Sequence, residues 1–315
     1  MEINRRGFLK LAGTIGAGAV MLDYKADILS VLVEAQEDYT IAWLQGQGCT
    51  GCTMSLIQYP DIFGALQGLG VGVPFHPTIM PEAGENAEDV LDNLYPDFLV
   101  VEGAVPVKEV FSMDTHYCEV FGTPFEDLLV EVADRSTHVV AAGTCAAFGG
   151  ISAGSPNPTG ARPVSEVLPG KTVINIPGCP AHPDWMVLAI VDLVLGKTVE
   201  LDELNRPTAF FGELLHDNCT RKKAYDTKKF ATTFPSTDEC LLELGCKGAV
   251  AYSDCPVRRW NNDTNYCIDA GAPCIGCVYE GFPDKVSPLY EEHEIGLPSE
   301  SCVVCHRKYG MHKGW

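Results

Sequence analysis

From residue 39 onward the chain alternates short apolar runs with longer amphipathic stretches. The runs cover 39–44, 71–75, 97–101, 138–142 and 172–176. Between and after them, helix-like patterns cover 54–69, 86–94, 125–135 and 183–195. Short continuous apolar runs fit strands buried on both faces. The alternation therefore predicts an α/β fold, a doubly wound parallel sheet with helices on each side. After residue 196 the periodicity fades. Residues 205–290 are rich in Cys, Asn, Asp, Lys, Gly and Pro, and only 208–211 reads as a good strand. A second, smaller, mostly irregular unit is expected there, held by something other than a large apolar core. The expected division is 1–35, 36–200, 201–290 and a tail over 291–315.

Charge narrows the function. With 22 Lys+Arg against 42 Asp+Glu, the formal net charge is −20. A nucleic-acid binder needs a cationic surface, so that class is excluded; a basic partner fits better. The 46% hydrophobic content argues against general disorder.

The N-terminus reads Asn4-Arg5-Arg6-Gly7-Phe8-Leu9-Lys10, followed by an apolar run to Leu22. This resembles a twin-arginine export signal, with Val33-Glu34-Ala35 as a weak cleavage candidate. The run is shorter than the roughly 20 residues needed to span a bilayer, and no other segment is long and apolar enough. A periplasmic location without a transmembrane segment follows as the expectation. Such export carries folded proteins, which favours metal over disulfides for the 14 cysteines.

The cysteines fall in a pattern. Cys49-Thr50-Gly51-Cys52 follows the first strand, Gly143-Thr144-Cys145 the fourth, and Pro177-Gly178-Cys179-Pro180 the fifth. Parallel strands place these loops on one edge, where open α/β sheets bind their ligands. Cys49, Cys52, Cys145 and Cys179 can therefore converge, as a set suited to zinc or a 4Fe–4S cluster. The second unit supplies His216, Cys219, Cys240, Cys246, Cys255, Cys267, Cys274 and Cys277. One His and seven Cys make two sets of four, which suits two further clusters; disulfides are the competing reading.

Taken in order, these motifs identify a family. Cys-x-x-Cys, Gly-Thr-Cys, Pro-Gly-Cys-Pro, His-x-x-Cys, the stretch Cys255-Pro256-Val257-Arg258-Arg259-Trp260-Asn261 and the Cys274-Ile275-Gly276-Cys277 pair resemble the small, electron-transferring subunit of nickel–iron hydrogenases. The resemblance spans residues 39 to about 290. It implies a flavodoxin-like domain, a cluster domain with few regular elements, and a heterodimer with a large subunit that carries the nickel–iron centre. It also implies a proximal 4Fe–4S cluster on Cys49, Cys52, Cys145 and Cys179. A distal 4Fe–4S cluster would sit on His216, Cys219, Cys240 and Cys246, and a medial cluster on Cys255, Cys274 and Cys277. The implied reaction is H2 = 2H+ + 2e−, with a multihaem cytochrome c as external acceptor. The rivals are a related quinone-reductase-like subunit, which would carry only the first cluster, and a disulfide-bonded secreted binding protein.

Two departures from the family pattern matter. Many members carry Pro where this chain has Cys267; a fourth thiolate implies a medial 4Fe–4S cluster, as in nickel–iron–selenium relatives. Oxygen-tolerant members carry extra cysteines where this chain has Gly51 and Gly150. The tail holds Cys302-Val303-Val304-Cys305-His306, the c-type haem attachment pattern. Covalent haem, a small metal site, a disulfide hairpin and a docking tail are its candidate readings. Cys118 reads as a plain thiol, and His76, His116, His138 and His182 as structural, with His182 a candidate hydrogen-bond donor to the proximal site. Glu102 reads as solvated or as a helix cap. Lys222, Lys223, Lys228 and Lys229 read as a solvated face near the distal motif.

Overall fold

A computed structural model of the protein describes residues 39–289, except 108, 111, 112, 115 and 116. The export signal, His116 and the tail with Cys302, Cys305 and His306 lie outside the described residues.

Five strands form a parallel sheet: β1 (Tyr39–Gln45), β2 (Val71–Phe75), β3 (Phe98–Glu102), β4 (His138–Ala142) and β5 (Val173–Ile176). Their order is β5-β4-β3-β1-β2, the flavodoxin-like order 2-1-3-4-5 read from the other edge. Every residue of β3 is buried. Side chains alternate across the sheet. Ile41, Trp43, Phe98, Val100, Val140, Ile174 and Ile176 face one core. Ala42, Leu44, Leu99, Val101, Val139, Ala141 and Val173 face the other. The doubly wound reading is thus met strand by strand.

Helices cover both faces. On the first lie α1 (Gly51–Leu56), α2 (Ile62–Gly68) and the long apolar helix Pro183–Val194. On the second lie α3 (Glu85–Asp92), α4 (Phe125–Asp134), α5 (Gly143–Phe148) and α6 (Val164–Val167). We number Pro183–Val194 as α7. The single helix expected over 54–69 is two, α1 and α2, because Pro60 and the left-handed Asp61 (φ 52°) break the chain between them.

Each edge of the sheet carries an interruption to further pairing. β2 carries Pro74, which has no N–H to offer. On β5, the Asn175 backbone N–H donates to Asn205 O at 2.8 Å, and its side-chain amide donates to Leu204 O at 2.8 Å.

Beyond α7 the chain has short helices and turns: α8 (Thr208–Phe211), α9 (Lys222–Asp226) and α10 (Cys255–Arg258), with 3-10 turns at Leu215–Asn218 and Leu242–Leu244. The strand expected at 208–211 is therefore one helical turn. Pro207 precedes it, and Phe210 and Phe211 point into the α7 core. This region builds no large core of its own. Its apolar residues Phe210, Phe211, Leu215, Leu241, Tyr266, Ile268 and Val278 join the core under α7. Only small clusters around Tyr225 and around Phe282 are separate. Among the described residues no helix is long and apolar enough to cross a membrane.

Candidate functional site

The loop after β1 turns sharply to deliver two thiols. Thr50 is a β-branched residue in the left-handed region (φ 63°), a costly conformation. Its hydroxyl accepts from the Gln45 side-chain amide at 2.7 Å, which ties the turn to the end of β1. Glu102, at the end of β3, holds the other side. It accepts from the backbone N–H of Cys52 (2.9 Å) and Thr53 (3.2 Å), from the Thr53 hydroxyl (2.5 Å) and from Trp43 Nε1 (3.1 Å). The carboxylate is 2% exposed, so the solvated reading is corrected: Glu102 serves the first N–H groups of α1 from across the sheet. His76 is structural. It stacks on Trp43, meets Thr53 Oγ1 at 3.3 Å, and accepts from the Thr78 N–H at Nδ1; burial pushes its pKa down to about 4.

Cys49, Cys52, Cys145 and Cys179 all lie on this edge, after β1, β4 and β5. Cys49 and Cys179 are exposed, Cys145 is half-buried and Cys52 is buried. Burial pushes the Cys52 thiol up, and Glu102, Cys145 and Cys179 add to the effect. Burial likewise raises Cys179 to about 11, with Cys145 and Cys49 contributing. Cys145 and Cys179 thus act on Cys52, and Cys145 and Cys49 on Cys179. Two glycines make room for them. A Cβ on Gly143 (φ +88°) would lie 2.4 Å from Cys52 Sγ, and one on Gly150 would lie 2.9 Å from the Cys145 backbone. The Ala181 N–H donates to Cys52 Sγ at 3.5 Å.

His182 does not donate to this group. Its Nδ1 accepts from the Asp184 N–H at 3.1 Å, capping α7, and its Nε2 donates to Arg259 O at 2.7 Å. The ring instead joins α7 to the 255–261 loop, where Trp185 Nε1 also donates to Asp254 (2.8 Å) and Arg258 pairs with Asp254 and Asp184.

Cys255 opens α10, and Cys274 and Cys277 lie in the turn below it. Burial pushes Cys255 up to about 12; Asp254 and Cys267 raise it further, while the Ser253 hydroxyl opposes them. Cys277 is raised by burial first, then by Cys255, with Cys267 and Cys179 contributing. Cys267 contributes to the rise of both Cys255 and Cys277.

The remaining set lies in the 3-10 turn at Leu215–Asn218 and the loops beside it. Burial raises Cys240 and Cys246, and Cys219 adds to both. Cys219 Sγ accepts from the Arg221 N–H (3.4 Å) and the Tyr266 hydroxyl (3.5 Å). Arg221, 8% exposed, clamps the neighbouring loops by donating to Glu239 O and Ile268 O. His216 is edge-on to Tyr225, with ring centroids 4.5 Å apart, and its Nε2 is buried without a hydrogen-bond partner. A buried unpaired imidazole nitrogen is costly and is what a metal ligand looks like before its metal arrives. Burial, and then Lys222, lower its pKa and keep it neutral, the state that ligates.

None of the twelve described cysteines is in a disulfide. Among the described residues, no three His, Cys, Asp or Glu side chains close around a single ion. Cys118 belongs to none of these groups and packs beside the core on the α4 face, as a plain thiol. Sequence reasoning did not single out Gln45 and Arg221, or give Thr144 a role within its motif. Thr144 and Arg221 act through loops distant in the chain, which no local pattern reports, whereas Gln45 meets Thr50 five residues on.

Comparisons with known proteins agree with this geometry. Residues 49–193 match the family described as NADH ubiquinone oxidoreductase, 20 Kd subunit. Residues 211–290 match the family that describes the C-terminal part of the NiFe/NiFeSe hydrogenase small subunit. The periplasmic NiFeSe hydrogenase small subunit of Desulfomicrobium baculatum is 40% identical over 322 residues, covering 92% of this chain and 99% of its own. The chain belongs to the nickel–iron hydrogenase small-subunit family. The second match separates it from a quinone-reductase subunit, because the first half alone fits both. A hydrogenase small subunit from Methanosarcina mazei, F420 non-reducing hydrogenase II, is 35% identical over 93% of this chain and 86% of its own. The solved recombinant NiFeSe hydrogenase from Desulfovibrio vulgaris Hildenborough superposes with a TM-score of 0.74 at 37% identity, over 82% of this chain and 99% of that one. This hydrogenase small subunit is thus one part of an oxidoreductase complex.

Proposed function

We propose that the chain relays electrons through three 4Fe–4S clusters in series. Cys49, Cys52, Cys145 and Cys179 hold the proximal one. Cys255, Cys267, Cys274 and Cys277 hold the medial one, and His216, Cys219, Cys240 and Cys246 the distal one. The clusters supply one-electron redox chemistry; H2 = 2H+ + 2e− takes place on the partner large subunit. The observation that carries this reading is that bonded loops join the three sets in series. Thr144, next to Cys145, donates to the Cys277 carbonyl, and the N–H of Lys247, next to Cys246, donates to the Cys274 carbonyl at 2.6 Å.

The chain's own groups do three things. Burial excludes water around Cys52 and Cys274. Main-chain N–H groups meet the sulfurs: Ala181 at Cys52, Arg221 at Cys219 and Gly276 at Cys274 (3.4 Å). The neutral imidazole of His216 takes the place of a thiolate, lowering negative charge at the outer end and raising the potential there.

Cys49 and Cys179 are exposed on the loop edge, and we place the large subunit against that edge. The twin-arginine-like motif at Arg5-Arg6 supports export of the complex to the periplasm, with a multihaem cytochrome c as acceptor. The test is iron and acid-labile sulfide analysis of the purified heterodimer, counting only iron assigned to this chain. About twelve iron atoms per chain fit three clusters, about four fit the proximal cluster alone, and none fits a disulfide protein.

A further inference from the structure

One hydroxyl joins the proximal loops to the medial loop. Thr144 is 1% exposed and lies beside Cys145. Its backbone N–H donates to Gly178 O at 2.9 Å, and its Oγ1 accepts from the Gly178 N–H at 2.8 Å. Gly178 in turn precedes Cys179. The Thr144 hydroxyl hydrogen is then donated to the backbone carbonyl of Cys277, 133 residues away in sequence. A hydroxyl has one proton to give and lone pairs to accept with, so both roles are filled. Three segments, each adjoining or containing a candidate cluster ligand, therefore meet on one oxygen.

We propose that Thr144 is a positioning residue for electron transfer, its hydroxyl fixing the spacing between the Cys145/Cys179 loops and the Cys277 loop. The proposal rests on the relay reading above. In the step it serves, one electron leaves the reduced proximal cluster and reduces the oxidised medial cluster. No bond breaks, no proton moves, and Thr144 is unchanged. Electron tunnelling falls steeply with separation and with loss of bonded contact, so a loop that drifts slows the step. Without the hydroxyl, the buried Gly178 N–H is left unpaired and the Cys277 carbonyl loses this donor. The two loops then have reason to separate and admit water.

The test uses the intact heterodimer with Thr144→Val, which keeps the side-chain shape, and Thr144→Ser, which keeps the hydroxyl. Four quantities are measured: iron content, hydrogen-isotope exchange, acceptor-linked hydrogen oxidation, and freeze-quench EPR of the clusters after exposure to hydrogen. For Thr144→Val the expectation is full iron, unchanged isotope exchange, and acceptor-linked turnover lowered by about tenfold or more, the scale on which small misplacements act in positioned reactions. The reduced proximal signal should build up before the medial one. Thr144→Ser should restore wild-type behaviour. A Thr144→Val enzyme with full iron and wild-type turnover overturns the proposal. If Thr144→Val loses iron, Thr144→Ser decides. With full iron, wild-type transfer supports the hydroxyl's role and slowed transfer refutes it. A wild-type heterodimer lacking the medial cluster would instead sink the relay reading, and this proposal with it.

Discussion

The region up to α7 and the region beyond it solve the same problem by different physics. The first buries two continuous apolar layers on either side of one sheet, with Phe98, Leu99, Val100 and Val101 of β3 all 1% exposed or less. The second has few regular elements, and it adds its apolar residues to the core under α7. What organises it locally is a set of discrete ties. Arg221 spans two loops, Arg258 and Trp185 meet on Asp254, and the Lys247 N–H donates to Cys274 O at 2.6 Å. The lesson is that a periodic segment carries its fold in its own pattern. An irregular one depends on partners elsewhere in the chain and, by our reading, on iron.

The largest test of this contrast is iron removal. Chelation of the isolated complex should abolish amide hydrogen-exchange protection across 205–289 while leaving β1, β3 and β4 protected, because cluster binding is folding energy for the irregular region only. Equal loss in both regions would show one cooperative unit and erase the distinction.

Next in size is the seam. Trp185 is 1% exposed and packs on Phe211 (4.9 Å between ring centroids) and His182 (5.4 Å). Trp185→Ala should cost about 3–5 kcal/mol, visible as a lowered denaturation midpoint of the complex. It also leaves the Asp254 carboxylate without one donor. A cost below about 1 kcal/mol would mean that the two regions pack independently.

The smallest effect on stability is expected at Cys267. Cys267→Pro should change stability by no more than about 1 kcal/mol, since the residue is exposed and lies in a loop. Its spectroscopic effect should be plain. Oxidised protein should gain a 3Fe–4S EPR signal, and the medial potential should rise. A full 3Fe–4S signal in the unmodified protein would remove Cys267 from the ligand set.

The contrast also decides what could be read from the chain alone. All five strands were legible to within about one or two residues at each end, the usual scatter of such boundaries, because each is a buried run with turn residues beside it. The 208–211 segment was misread because Thr-Ala-Phe-Phe is too short to show a period and its aromatic residues favour strand. Glu102 read as solvated or as a helix cap, because a lone Glu after a strand gives no sign of which. Only the tertiary fold brings Trp43, Cys52 and Thr53 around it. The family was legible from the order of the cysteine motifs, since ligand chemistry constrains residue type and spacing; the division of those cysteines into three ligand sets belongs to the proposal. The hydroxyl of Thr144 was not legible, because its partner lies 133 residues away.

The guarded edges of the sheet bear on how this protein associates. An open edge strand is a template on which another chain can build, the usual start of aggregation and domain swapping. Here Pro74 takes one donor out of β2 and the Leu204–Asn205 loop pairs with Asn175 of β5, so each edge ladder is interrupted. Strand addition is therefore a poor route for any partner. Recognition is left to side chains and loops, above all to the edge that displays Cys49 and Cys179, and a chain waiting for its large subunit is protected from pairing with itself in the meantime.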